Sequence, residues 1–273
     1  MIKSAVTIAL VAQIKTGPWI FWDDLEISMD KAARLGFDGV ELFTSSADAI
    51  EAASLQTLLK NTGLSLAAVG TGAGKVLHGF TLTDPDPHIR RQAVSFITEM
   101  ISFGARFGAP AIIGSMQGNT SAAIGREQSL EWLSEGLTLL GRHAEANHVK
   151  LIYEPLNRYE TNLFNTLAEA AAFIDSLKTA NVCLLADLFH MNIEETSLAE
   201  SIRQYSHHIG HVHFADSNRR PMGFGHTAMP EIALALQQTG YRGYVSAEAF
   251  PWPDPDQAAR QTIKSFKQYF RRK

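Results

Sequence analysis

Short apolar runs rich in Val, Ile and Ala alternate with longer segments of helical period from one end of the chain to the other. The runs fall at residues 5–12, 39–42, 64–69, 109–113, 149–153, 182–186, 209–214 and 244–247. Between them, apolar positions at helical spacing predict helices over 25–35, 47–61, 87–107, 129–147, 166–177, 198–205, 230–238 and 256–269. Most of the strands are apolar on both faces, as in a parallel sheet covered by helices. Eight repeats favour closing that sheet. An open doubly wound sheet would announce its ligand site by a glycine-rich turn after the first strand, and Gln13-Ile14-Lys15-Thr16-Gly17-Pro18 has no such spacing. A length of 273 residues, 45% of them hydrophobic, suits one large core and approaches the roughly 250 residues of a typical barrel. The expectation is an α/β chain forming a (β/α)8 TIM barrel, with a single domain over residues 1–273.

Glycine punctuates the pattern. Gly36, Gly63, Gly108 and Gly240 each follow a helical segment and precede a strand, where a left-handed backbone ends a helix. Gly70, Gly72 and Gly74 crowd the turn after the third strand, but residues 75–80 do not read as a helix start. That turn is a weak phosphate cradle and reads better as an active-site loop or a plain turn.

Charge and cysteine usage exclude several classes. A net charge of -4 supplies no general attraction for nucleic acid, and Lys and Arg cluster only in the C-terminal tail. Cys183 is the only cysteine, so no intramolecular disulfide exists, and a reducing cytoplasm fits. Met1-Ile2-Lys3 and the apolar residues after it faintly resemble a secretory signal. The run is short, however, and Gln13, Lys15 and Gly17-Pro18 stand where a cleavage site would be. No apolar run reaches the roughly 18 residues that a membrane span needs.

The last four strands end on side chains that bind metals: Glu154, Asp187, His213 and Glu248. A carboxylate where a strand stops, backed by proline as in Glu154-Pro155, is held on stiff backbone at the sheet end. Barrel enzymes keep their chemistry there. Three carboxylates meeting unpaired would repel, and a divalent cation removes that penalty. An oxygen-rich set with one nitrogen suits Mn²⁺, or Mg²⁺ or Co²⁺, better than tetrahedral zinc. Taken singly, each reads as a helix N-cap or a surface ion pair. His211 shares a strand face with His213 and reads as a core or supporting residue, while His207-His208 reads as solvated surface. Long loops after the first, third, fourth and seventh strands, and the segment after the eighth, carry Trp19, Phe21, Trp22, His78, Phe80, Phe224, His226, Phe250 and Trp252. They would form a lid or pack on the barrel rim.

The segments Glu154-Pro155-Leu156-Asn157-Arg158-Tyr159-Glu160, Asp187-Leu188-Phe189-His190-Met191-Asn192, His211-Val212-His213-Phe214-Ala215-Asp216-Ser217-Asn218-Arg219 and Ala247-Glu248 resemble the xylose isomerase-like sugar isomerase/epimerase superfamily. Within it they are most similar to ketose 3-epimerases, the D-tagatose, D-psicose and 5-keto-L-gluconate enzymes. The likeness extends to Gly36-Phe37-Asp38-Gly39-Val40-Glu41 and Leu82-Thr83-Asp84. It implies Glu154, Asp187, His213 and Glu248 as metal ligands, with Glu154 and Glu248 doubling as an acid/base pair. Glu160, His190 and Arg219 become substrate contacts, and a homo-dimer or homo-tetramer is implied. Leu188, where the family often has threonine, and the loop around Pro251-Trp252-Pro253 depart from the pattern and bear on the substrate.

The chemistry that follows is epimerisation beside the keto group of a ketose or keto-sugar acid. A metal on the keto oxygen stabilises the enediolate left by proton loss, and inversion needs one carboxylate on each face. The rival readings are aldose–ketose isomerisation, as in hydroxypyruvate isomerase, dehydration of a keto sugar, and a sugar-binding module without catalysis. A hydrolase of abasic DNA would want more metal-binding histidines and a basic groove.

Overall fold

The computed structural model describes residues 1–271. Its strands are β1 (Lys3–Ala9), β2 (Gly39–Phe43), β3 (Ser65–Gly70), β4 (Ala111–Ile113), β5 (Leu151–Tyr153), β6 (Val182–Asp187), β7 (Ile209–His213) and β8 (Tyr244–Ala247). They pair in sequence order as a closed barrel, and β1 pairs in parallel with β8 through Lys3 to Val6. The helices are α1 (Leu25–Leu35), α2 (Ala52–Thr62), α3 (Ala73–His78), α4 (Pro87–Ala105), α5 (Arg126–Ala146), α6 (Leu167–Asp175), α7 (Leu188–Glu194), α8 (Leu198–Tyr205), α9 (Met229–Gln238) and α10 (Pro255–Phe270). The expected (β/α)8 architecture is therefore present. Arg272 and Lys273 of the basic tail lie outside the described residues. Among the described residues no helix is long and apolar enough to cross a membrane.

The main core lies between strands and helices, joining Val6, Ile8 and Val40 of the strands to Met29, Ile97, Leu137 and Ile263 of the helices. The four glycines adopt the expected left-handed backbone, with φ of 84°, 71°, 69° and 75° for Gly36, Gly63, Gly108 and Gly240. Helix α6 begins on a capping box, in which Thr166 and Glu169 satisfy each other's backbone amides.

Three expectations need correction. The first strand ends at Ala9, and the apolar residues beyond it belong to a loop. Trp19 from that loop stacks on Phe43 with ring centroids 4.1 Å apart, so tertiary packing accounts for the extra hydrophobicity. Residues 47–61 divide into a short 3₁₀ turn at Ala47–Ala49 and then α2, with Ile50 extended between them. The glycine-rich turn leads into α3, which begins at Ala73. A Cβ on Gly74 would collide with Met116, so close packing accounts for that glycine.

Candidate metal and active site

A period of two decides which strand residues face the barrel axis. Ala68, Ile112, Ile152 and Leu185 form a buried cluster separate from the main core, marking the inward face of β3 to β6. Two residues further along that face come Gly70, Gly114, Glu154 and Asp187. The last two are carboxylates on adjoining strand ends, and the glycines leave space beside them. Thr7, Glu41, Gly70, Gly114, Glu154, His213 and Glu248 all line one cavity of about 190 Å³.

Glu154, Asp187, His213 and Glu248 meet there, each offering one donor atom within 4.8 Å of the others. His213 Nδ1 lies 3.1 Å from Asp187 Oδ2, 3.5 Å from Glu154 Oε1 and 3.5 Å from Glu248 Oε2. Asp187 is both a cap and a candidate ligand. Its Oδ1 accepts from the Phe189 and His190 amides at the start of α7, leaving Oδ2 for the cluster. Gln117 Nε2 donates to the Glu154 carbonyl at 2.9 Å, which steadies the backbone of that glutamate.

The electrostatics are those of a site short of positive charge. Burial pushes the Glu248 carboxyl up, and Glu154 and Asp187 reinforce this against His213 and Arg219, to about 7. Burial also disfavours a charged His213, yet the charges of Glu41 and Glu248 and the hydrogen bond to Asp187, with Glu154 close by, hold its proton well above the usual histidine range. Glu154 Oε1 is buried without any hydrogen-bond partner. The residues fit a divalent cation, which would neutralise the carboxylates and give that oxygen a partner.

The residues expected around the cluster adjoin it. Arg219 donates to Glu248 Oε2 at 2.8 Å and to Glu160 Oε1 at 3.2 Å. Its φ of 57° is left-handed, held by its N–H to the Asp216 carbonyl and its own carbonyl to the Phe250 amide, both 2.8 Å. His190 Nε2 stands 3.9 Å from Glu154 Oε1 and 3.9 Å from Asp187 Oδ2. His208 departs from the expected solvated surface, being half-buried with its Nε2 2.9 Å from Asp175 Oδ1.

Glu41 was not read from the sequence as a site residue. Its Oε1 accepts from His213 Nε2 at 3.1 Å, and its Oε2 accepts from His211 Nε2 at 2.9 Å. Burial opposes its charge, but His213 and His211 outweigh this and hold the carboxyl well below the usual range. With Nε2 occupied, His213 turns Nδ1 towards the three carboxylates. The available signal was a glutamate in the middle of an apolar strand, where charge is costly without a partner.

The model of the xylose isomerase-like TIM barrel family matches residues 29–269. The chain belongs to the xylose isomerase-like TIM barrel family. One relative in that family is the D-psicose 3-epimerase of Ruminiclostridium cellulolyticum, 32% identical over 237 residues, which are 84% of this chain and 80% of the relative. The 3-dehydro-D-guloside 4-epimerase of Escherichia coli K12 is 35% identical over 132 residues, 48% of this chain and 50% of that protein. The crystal structure of D-psicose 3-epimerase from Clostridium cellulolyticum H10 with D-tagatose superposes with a TM-score of 0.82 at 26% identity, covering 98% of this chain and 99% of the other.

Proposed function

We propose that this barrel is a divalent-metal-dependent carbohydrate epimerase, an isomerase-class enzyme, that inverts the carbon beside the keto group of a small ketose or keto-sugar acid. The observation that carries the reading is the convergence of Glu154, Asp187, His213 and Glu248 from four consecutive strand ends within 4.8 Å. The relatives' names supply the reaction type. A 3-epimerase of psicose, a 2-ketose, and a 4-epimerase of a 3-dehydro sugar both invert a carbon next to a ketone.

The four residues would hold the cation, Mn²⁺ by preference and Mg²⁺ or Co²⁺ as substitutes, since hard oxygen donors with one imidazole suit these ions. Such an ion polarises a keto oxygen and spreads the charge that develops when the neighbouring C–H is lost. Glu154 on the β5 side and Glu248 on the β8 side supply a carboxylate to each face of the sugar. One removes the proton and the other returns one to the opposite face. Arg219, bridging Glu248 and Glu160, would orient both while its remaining N–H groups face sugar oxygens. Trp19 and Phe43 line the cavity and cover its side against water.

Incubation of free ketoses, keto-hexonates and hydroxypyruvate with Mn²⁺ in deuterated water tests this. The expected result by NMR is the epimeric keto sugar with deuterium at the inverted carbon, and no such label with Glu154→Gln. Aldose products would replace the reading with isomerisation, and loss of water with dehydration. Metal-independent sugar binding without exchange would reduce the protein to a binding module.

A further inference from the structure

We propose that Asn157 is a positioning residue that locks the tautomer of His190, so that the ring presents its Nε2–H to an oxygen of the substrate. The part played by the substrate rests on the epimerase reading above; the tautomer itself rests on hydrogen-bond polarity alone.

The Asn157 backbone N–H points at His190 Nδ1 from 3.2 Å. A backbone N–H can only donate, so Nδ1 is an acceptor. The Asn157 amide also approaches Nδ1, at 2.7 Å, and two independent contacts determine which way that amide faces. Its far end receives the Tyr159 N–H at 3.0 Å and must be the oxygen. Its near end lies 3.2 Å from Glu160 Oε1, an acceptor, and must be the nitrogen. Two donors therefore converge on Nδ1, and the ring proton sits on Nε2.

That Nε2 is buried and has no hydrogen-bond partner, and the same is true of Glu154 Oε1. The two atoms are 3.9 Å apart, too far for a useful hydrogen bond. His190 is only 2% exposed, so water does not satisfy its N–H from bulk solvent, and an unmet buried donor is costly. A substrate oxygen entering beside Glu154 would accept this N–H. The bond would strengthen as that oxygen gains charge during proton abstraction, the differential contact that accelerates a reaction. An aspartate at 157 would present an oxygen to Nδ1, draw the ring proton to that side and leave a lone pair facing the substrate.

The test is ¹H–¹⁵N correlation NMR of histidine-labelled protein, metal-free and loaded with Mg²⁺, with the His190 signals identified by their absence in His190→Gln. The wild type and Asn157→Ala, in which the backbone N–H still meets Nδ1, should show the Nε2–H tautomer, and Asn157→Asp the Nδ1–H form, since a carboxylate oxygen in place of the amide 2.7 Å from Nδ1 outcompetes the backbone donor at 3.2 Å. On a sugar that the wild type turns over, Asn157→Asp should lose kcat by about tenfold or more, the worth of one hydrogen bond to a developing charge, with KM changed far less. A wild-type ring protonated on Nδ1, or an unaltered tautomer in Asn157→Asp, would overturn the lock. An inverted tautomer with unchanged kcat would overturn its role in the reaction. If Asn157→Asp does not fold, the wild-type and Asn157→Ala spectra still decide. The spectra need no substrate, so failure of the epimerase reading would appear separately, in the product assays.

Discussion

His213 faces two sets of carboxylates at once. Its Nε2 is held by Glu41 at 3.1 Å, and its Nδ1 looks onto Asp187, Glu154 and Glu248. Glu41→Gln weakens the acceptor that orients the ring and should reduce Mn²⁺ affinity by about 10- to 100-fold, measured by calorimetric titration. The ion must also displace protons. Glu248 is raised to about 7, so below that pH its carboxyl is protonated in the metal-free chain and above it the carboxylate is already free. His213 is raised well above its ordinary value and still carries its proton there. Mn²⁺ binding should therefore tighten as pH rises, releasing about two protons below pH 7 and about one just above it. A flat affinity between pH 6 and 8 would contradict this.

At the scale of elements, the site depends on what the barrel strands omit as well as on what they carry. Gly114 follows β4, and a Cβ there would collide with Glu154 Oε2. Gly114→Ala should displace that carboxylate and cost about 100-fold in activity, while circular dichroism stays that of the wild type. Helix α6 offers a control away from the cavity. Thr166→Ala breaks its capping box and should cost about 1 kcal/mol of stability, seen in urea unfolding, with KM unchanged. The long helices were legible because their apolar period spans several turns. Helices α3 and α7 were not. Each is at most seven residues, too short for a period to emerge, and the N-cap that Asp187 offers when taken singly does not by itself mark α7. Residues 10–12 continue the apolar run of β1 but belong to the loop that packs under Trp19, which local pattern could not reveal.

For the whole molecule, the four candidate ligands all come from the β5-to-β8 half of the barrel, and Glu41 on β2 reaches them across the axis. An ion bound only by the folded barrel stabilises it in proportion to its concentration, by about 4 kcal/mol at 1,000 times Kd. For a chain of this size that corresponds to a rise in Tm on the order of 10 °C, which scanning calorimetry should show and a chelator should reverse. By itself the sequence determined the order of the strands and of the eight longer helices, favoured the closed parallel barrel, and marked the four strand-end donors. Hydrophobic period and the residue type where a strand stops are written in adjacent positions. Only the tertiary structure decided the pairing of Glu41 with His213, 172 positions away, and of Asn157 with His190, 33 away. Contacts across a barrel follow from closure and register, and the direction of each hydrogen bond follows from which donors and acceptors closure brings together.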